Sequence, residues 1–380
     1  MLISCFSLRT FQEALLSRRC IFFTPEQAHL VCCASTQHEG LLQATRCGEG
    51  SDQLTWGTTA TIFSTILDAE LRWFNGIQGK LKFFDYMQHY LQRKFTVDDD
   101  ALPAFQGILS MVENQSYFGV VVFDTPFSQL ELSVRPAWRR GVGFAHGLLW
   151  EVDRRGQSAR RRPSVPTWSW LSRMYTWPRL SSLNPLLSSE RNGLGLACVT
   201  APLDPTCYVA EIAVLFESGR VLGIGDYLED NRNHKVVQTL TPCLLITSVR
   251  SDFTWTQLAD TRSNRKKGLK FRCRFTLEKL RWYNLSSHNA RFDLHKNQPG
   301  VTQHGIAVLL LTERYLNEPH QCTYRWLILQ EKTEGRSTCP GTAYERIALF
   351  TFREDLNGLQ RPMFDMVEKH ENNKVITWVE

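Results

Sequence analysis

Four tryptophans stand between positions 138 and 170, at 138, 150, 168 and 170. No other stretch of the 380 residues restricts the fold so strongly. Each indole removes a large apolar area from water when buried, and each indole N–H must then find an acceptor. Pro163 and Pro166 fix the backbone ahead of the last two. Such a stretch nucleates a core, and the segments before and after it have to meet there. The composition agrees: 43% of residues are hydrophobic, and 22 Phe, 11 Trp and 10 Tyr exclude a disordered chain.

The two sides of this joint carry different periodicities. Upstream, Phe11, Ala14, Leu15 and Arg18 recur at helical spacing within residues 7–18. Two short strand-like runs follow, Cys20–Phe23 and Ala28–Ala34, around the turn signal Thr-Pro-Glu-Gln. Residues 58–90 read as two helices broken near Asn75–Gly79, with Phe83, Met87, Tyr90 and Leu91 on one face of the second. Thr96 caps a further helix with Asp98–Asp100 in its first turn and Leu102, Phe105, Ile108, Leu109 and Val112 as its apolar stripe. Downstream, after a connector at 179–193, strand-like runs dominate: 209–216, 243–249, 270–275, 305–311, 324–330, 346–352 and 375–379. Residues 251–267 and 288–304 read as polar loops. The expected fold is α+β, a helical N-terminal half packed on a mostly antiparallel, β-rich C-terminal half. The expected divisions are 1–40, 41–178 and 179–380.

Several blocks resemble the fungal heterokaryon incompatibility (HET) domain and the region that follows it. Residues 10–27, Thr-Phe-Gln-Glu-Ala-Leu-Leu-Ser-Arg-Arg-Cys-Ile-Phe-Phe-Thr-Pro-Glu-Gln, with Cys32, are similar to that domain's closing block, in which Gln12 and Glu13 match a Gln-Glu pair. The family's Arg-Gly-Trp falls on Ser7-Leu8-Arg9 and is absent, and His29 and Val31 replace its usual Tyr and Glu. Residues 90–109 resemble the segment downstream, Asp100 matching its Asp and Gly107 its Gly. Residues 141–171 resemble its Gly…Leu-Leu-Trp…Pro-Ser-Trp-Ser-Trp stretch, placing Trp150, Trp168 and Trp170 on motif positions. Trp326-Leu-Ile-Leu and then Tyr344-Glu-Arg-Ile-Ala-Leu-Phe350 are similar to the family's end, with Ala348 where Gly is usual. The resemblance implies a role in non-self recognition between fused hyphae and in programmed cell death. It also implies that the domain's earlier blocks are missing here through a truncated gene start, leaving a non-catalytic interaction or regulatory region. HET domains resemble TIR domains, whose parallel α/β sheets in some relatives cleave NAD. An enzyme reading therefore centres on Glu13 and needs the upstream strands.

From the residues themselves, little else points to chemistry. Gly141-Val-Gly-Phe-Ala-His-Gly147 lacks the Lys-Ser/Thr of a phosphate loop, and His146 beside it reads as structural. His29, Cys32, Cys33, His38 and Cys47 do not fit one metal, since Cys32 and Cys33 point to opposite faces of a strand. The three aspartates at 98–100 fit helix capping better than a cation. Neither a cofactor nor a metal is expected. Arg154, Arg155, Arg160, Arg161 and Arg162 form a basic loop that offers a contact for an acidic partner or phosphate backbone. Nucleic acid is not the expected partner, because no aromatic RNA-binding signature accompanies it and the net charge is only +6. The 11 cysteines lack CxxC pairs and read as reduced thiols, and no apolar run is long enough to span a bilayer. A cytoplasmic protein with an unidentified protein partner, and no membrane association, is the expectation.

Overall fold

β1 (Arg19–Phe23) and β2 (Ala28–Cys32) form where the apolar runs on either side of Thr-Pro-Glu-Gln place them. They pair antiparallel, Phe23 opposite Ala28, and β3 (Ser35–His38) and β4 (Thr45–Arg46) continue the meander. The computed structural model describes residues 19–23, 28–32, 35–38, 45–46, 87, 90, 98–111, 116–122, 136–152, 161–172, 178–180, 208–233, 240–258, 270–275, 283–285, 290–292, 301–314, 319–333, 337–357, 367 and 373–380. The chain divides into two units, residues 1–114 and 115–380.

In the first unit, Asp98–Ala101 is a 3₁₀ turn leading into α1 (Pro103–Met111). Proline suits the first helical position, where its missing N–H would be unpaired anyway. Phe105 and Leu109 form the buried stripe expected of this helix. Tyr90 packs against Phe105, ring centroids 4.6 Å apart and planes tilted by 55°, and donates its hydroxyl proton to the carbonyl of Ala101. The predicted helices over 7–18 and 58–86 lie outside the described residues.

The second unit opens with a tight hairpin, β5 (Ser116–Tyr117) and β6 (Val120–Val121), turning through Phe118 and Gly119, both at positive φ. That backbone matches the twist of the flanking strands. Then come α2 (Pro136–Gly147), β7 (Trp150–Val152) and β8 (Pro178–Leu180), the two strands pairing antiparallel. Gly147 is required by sterics: a Cβ there would stand 2.4 Å from the carbonyl oxygen of Val121.

The remaining strands are β9 (Glu211–Phe216), β10 (Val221–Gly223), β11 (Leu240–Ser248), β12 (Arg250–Leu258), β13 (Lys270–Phe275), β14 (Tyr283–Leu285), β15 (Ala290–Phe292), β16 (Thr302–Glu313), β17 (Gln321–Glu331), β18 (Ala343–Asp355) and β19 (Val375–Val379). They form one sheet, ordered β10-β9-β11-β19-β18-β17-β16-β12-β13-β14 with β15 added on β18. Part of this sheet closes on itself. β9 neighbours β11, β11 neighbours β19, and β19 joins β18 in parallel through Ala343↔Trp378 and Tyr344↔Val379. β18, β17 and β16 follow antiparallel. The residues leading into β9 then return to β16: Val209 bridges Leu311, Ala210 N donates to Leu310 O at 2.7 Å, and Thr312 N donates to Tyr208 O at 2.9 Å. β11 and β12 are one strand bent at Val249, and beyond the start of β9 this strand itself lies against β16.

One face of β12, β13 and β16–β18 carries Phe253, Trp255, Phe275, Trp326 and Phe350 in an apolar cluster. α3 (Ile224–Asn233) buries Ile224 and Leu228, and its Glu229 pairs with Arg140 of α2. β17 is buried on both faces from Cys322 to Leu329, which explains its apolar run Trp326–Leu329, with Thr323 and Arg325 as buried polar exceptions.

The expected fold class is overturned. Strand makes up 53% of the described residues and helix 21%, in three short helices. Among the described residues there is no helical half packed on a β half. α2, β7 and the tryptophan stretch belong to the same unit as the large sheet, so the joint is internal to a β-rich unit. The polar loop expected at 251–267 begins instead as strand β12. β1–β4 are antiparallel, whereas the resemblance implied a parallel α/β sheet there. One cysteine pair, Cys243–Cys339, is a disulfide, against the reading of all 11 as thiols. No helix among the described residues is long and apolar enough to cross a membrane.

Candidate functional site

Trp150, Trp168 and Trp170 are all fully buried, and each indole N–H has an acceptor. Trp150 donates to Trp168 O at 2.7 Å, Trp170 to Gly119 O at 2.7 Å, and Trp168 to Pro242 O at 3.3 Å. Trp168 stacks on Tyr117 at 5.4 Å with rings 5° from parallel, and Phe118 and Phe144 meet it edge-on. The Tyr117 hydroxyl donates to Thr241 O at 2.9 Å, and burial pushes its pKa far up, so it stays protonated as that bond requires. The positive φ of Phe118 and Gly119 turns their carbonyls onto this stretch, where Ser169 Oγ and the Trp170 indole donate to them. Trp138 lies in α2.

Two arginines complete the joint. Arg346 of β18 is buried, its guanidinium 3.8 Å from the Trp150 ring centroid. It donates to Leu148 O at 2.6 Å and to Trp150 O, linking residues 198 and 196 positions apart. Cation–π and charge-assisted bonds of this kind gain strength when water is excluded. Arg162, also buried, donates to Leu171 O at 2.5 Å, and its amide donates to Ser172 O. Arg161 forms an ion pair with Glu345 at 2.8 Å. The basic loop is thus divided: Arg161 and Arg162 are held by the protein itself, while Arg154, Arg155 and Arg160 lie outside the described residues.

Glu380 gathers three segments. Its carboxylate accepts from Lys332 Nζ at 2.5 Å, Thr338 N at 2.6 Å and Thr338 Oγ1 at 2.5 Å. Its amide donates to Tyr344 O, and its carbonyl accepts from the amide and hydroxyl of Thr167. The Thr167 oxygen in turn accepts from Arg346 N at 2.9 Å. Burial would raise the Glu380 pKa, but the Lys332 and Thr338 hydrogen bonds outweigh it and hold the carboxyl below its ordinary range.

The nearest approach to acid–base chemistry lies where α2 ends. Glu313 of β16 is held by Arg325 of β17, Nε at 2.8 Å and Nη2 at 2.6 Å, and Arg325 also donates to Thr351 Oγ1 at 2.9 Å. His146 in the last turn of α2 brings Nδ1 to 3.7 Å from the other Glu313 oxygen. Both acid and imidazole are buried. The trio brings the end of α2 against strands β16 and β17 of the sheet. Neither free cysteine among the described residues is activated: burial pushes Cys322 up to about 11 and Cys273 up to about 12.

Of the other sequence-selected residues, Asp100 is exposed in the 3₁₀ turn and Gly107 lies within α1. Gln12, Glu13, Cys33 and Cys47 lie outside the described residues. His29 and His38 are opposite one another in the β2–β3 register. No group of three or more metal-ligating side chains occurs among the described residues. Sequence reasoning did not single out Arg346, Glu380, Thr167, Glu313 or Arg325. Only Arg346 had a signal, as the arginine of the Tyr344–Phe350 block. No protein-family model matches the chain, and no curated protein matches it either.

Proposed function

We propose that this chain is part of a HET-type protein of fungal non-self recognition and programmed cell death, and that it contributes an interaction or regulatory region instead of a catalytic one. One observation carries the reading. Trp150, Trp168 and Trp170 lie in one stretch, and the arginine of the terminal block, Arg346, 196 positions beyond Trp150, meets them in a single joint. These four positions are engaged in mutual packing and hydrogen bonding, which supports a region that shapes and presents a surface.

The test is expression in a filamentous fungus of the present chain and of the open reading frame extended upstream, scoring death of fused hyphal cells. The extended protein is expected to kill and the present chain alone is not. Trp168→Ala in the extended protein is expected to abolish death without removing the protein. In-frame stop codons upstream, together with no death from either form, would dismiss the reading.

A further inference from the structure

The disulfide lies where the strand ring closes. Cys243 is on β11 and fully buried, and Cys339 is in the turn before β18, 9% exposed between exposed neighbours at 337–338 and 340–342. Their Cα atoms are 6.2 Å apart although 96 residues separate them. β11 and β18 are the two strands that flank β19. The bond therefore straddles the strand that completes the ring, and Trp378 of β19 packs against it with Leu215 and Ala343. Beside Cys339, Thr338 makes two of the three hydrogen bonds that hold the Glu380 carboxylate. Glu380 holds Thr167, and Thr167 holds the Arg346 amide beside the tryptophans. A connected path of bonds thus runs from the disulfide to the joint.

We propose that Cys243–Cys339 is a redox latch: a dithiol reductant opens it, frees the 337–342 turn from β11, and so loosens the hold on Glu380, β19 and the tryptophan joint. The exchange balances as follows. A thiolate of the reductant attacks Sγ of Cys339, the more accessible sulfur, and Cys243 leaves as a thiolate that takes up a proton. The second reductant thiolate attacks the mixed disulfide, the reductant closes to its own disulfide, and Cys339 is released and protonated. Two electrons and two protons pass to the protein. The buried thiols Cys273 and Cys322 sit in a separate apolar cluster and keep their protons. This latch does not rest on the family resemblance.

The test uses the full chain, oxidised in air and then treated with dithiothreitol. Non-reducing peptide mapping should recover a linked Cys243–Cys339 peptide that reduction removes. Reduction should raise amide hydrogen exchange about several-fold at 337–342 and 375–380, leave 253–257 unchanged, and increase the fluorescence of Trp378, with Trp378→Phe losing that increase. Cys339→Ser should show the reduced behaviour without reductant and respond no further. Where that variant does not fold, the wild-type arms still decide. In Glu380→Ala, which removes the acceptor of both Thr338 bonds, reduction should free 337–342 but leave exchange at 165–171 unaltered. Absence of the linked peptide, or unchanged exchange at 375–380 on reduction, would overturn the latch. A response at 165–171 that survives Glu380→Ala would overturn its coupling to the joint.

Discussion

At the scale of single residues, the molecule depends on charged groups that bind backbone as well as side chains. Arg346 donates to two carbonyls and covers an indole, and Glu380 accepts three hydrogen bonds while its own backbone bonds to two other segments. Bonds to a charged group contribute about 1.5–3 kcal/mol each, more than neutral pairs do. Glu380→Gln keeps the shape but removes the charge, and a loss of about 1–2 kcal/mol near neutrality is expected by urea denaturation. The pH dependence follows from the lowered pKa. Above the ordinary carboxylate value of 4.5 the stabilisation from Glu380 is fully present, because the folded protein binds the proton less readily than the unfolded chain. As pH falls below that value and through the depressed pKa, the stabilisation is lost. Wild type and Glu380→Gln should therefore differ near neutrality and converge in acid; a constant gap would show that the charge is not what matters.

Among the elements, α2 is the one whose sequence least advertises its structure. Gly141, Gly143 and Gly147 lower its intrinsic propensity, yet residues 142–147 are all buried and packing overrides propensity. The glycines are not equivalent. A Cβ at Gly141 meets nothing within 4 Å, whereas one at Gly147 meets Val121 O at 2.4 Å and Val120 Cγ1 at 2.8 Å. Gly141→Ala is expected to stabilise by about 0.5–1 kcal/mol, and Gly147→Ala to destabilise by about 1–3 kcal/mol. Thermal unfolding of both variants checks the pair, and equal effects would contradict the packing described. The same balance decides what was legible in the sequence. β13, β17, β18 and β19 stand close to the runs that marked them, because alternation or continuous apolarity survives without knowledge of neighbours. β12 was hidden because Ser251, Asp252, Thr254 and Thr256 make the stretch polar on average, while Phe253 and Trp255 supply the buried alternate positions. The tryptophans of the joint were legible as a cluster. Glu313, Arg325 and Glu380 were not, since a charged residue looks solvated until its partners on distant strands are known.

For the whole molecule, the closing of the sheet is the dominant fact. β19 supplies five residues and pairs with β11 and β18 at once, and it is the junction between an antiparallel and a parallel neighbour. Ending the chain after residue 374 would leave two strand edges unpaired and remove Glu380. A loss of about 3–4 kcal/mol, or about 10 °C in Tm for a unit of this size, is expected by calorimetry; an unchanged Tm would mean that the ring does not depend on this strand. The position of β19 in the chain has a consequence for biosynthesis. Every other strand of the ring precedes it in the chain, so β11 and β18 keep bare hydrogen-bonding edges until β19 has been made. The interval is one in which nascent chains are prone to pair with one another, and factors that shield newly made polypeptides would have to cover these two edges until β19 docks between them.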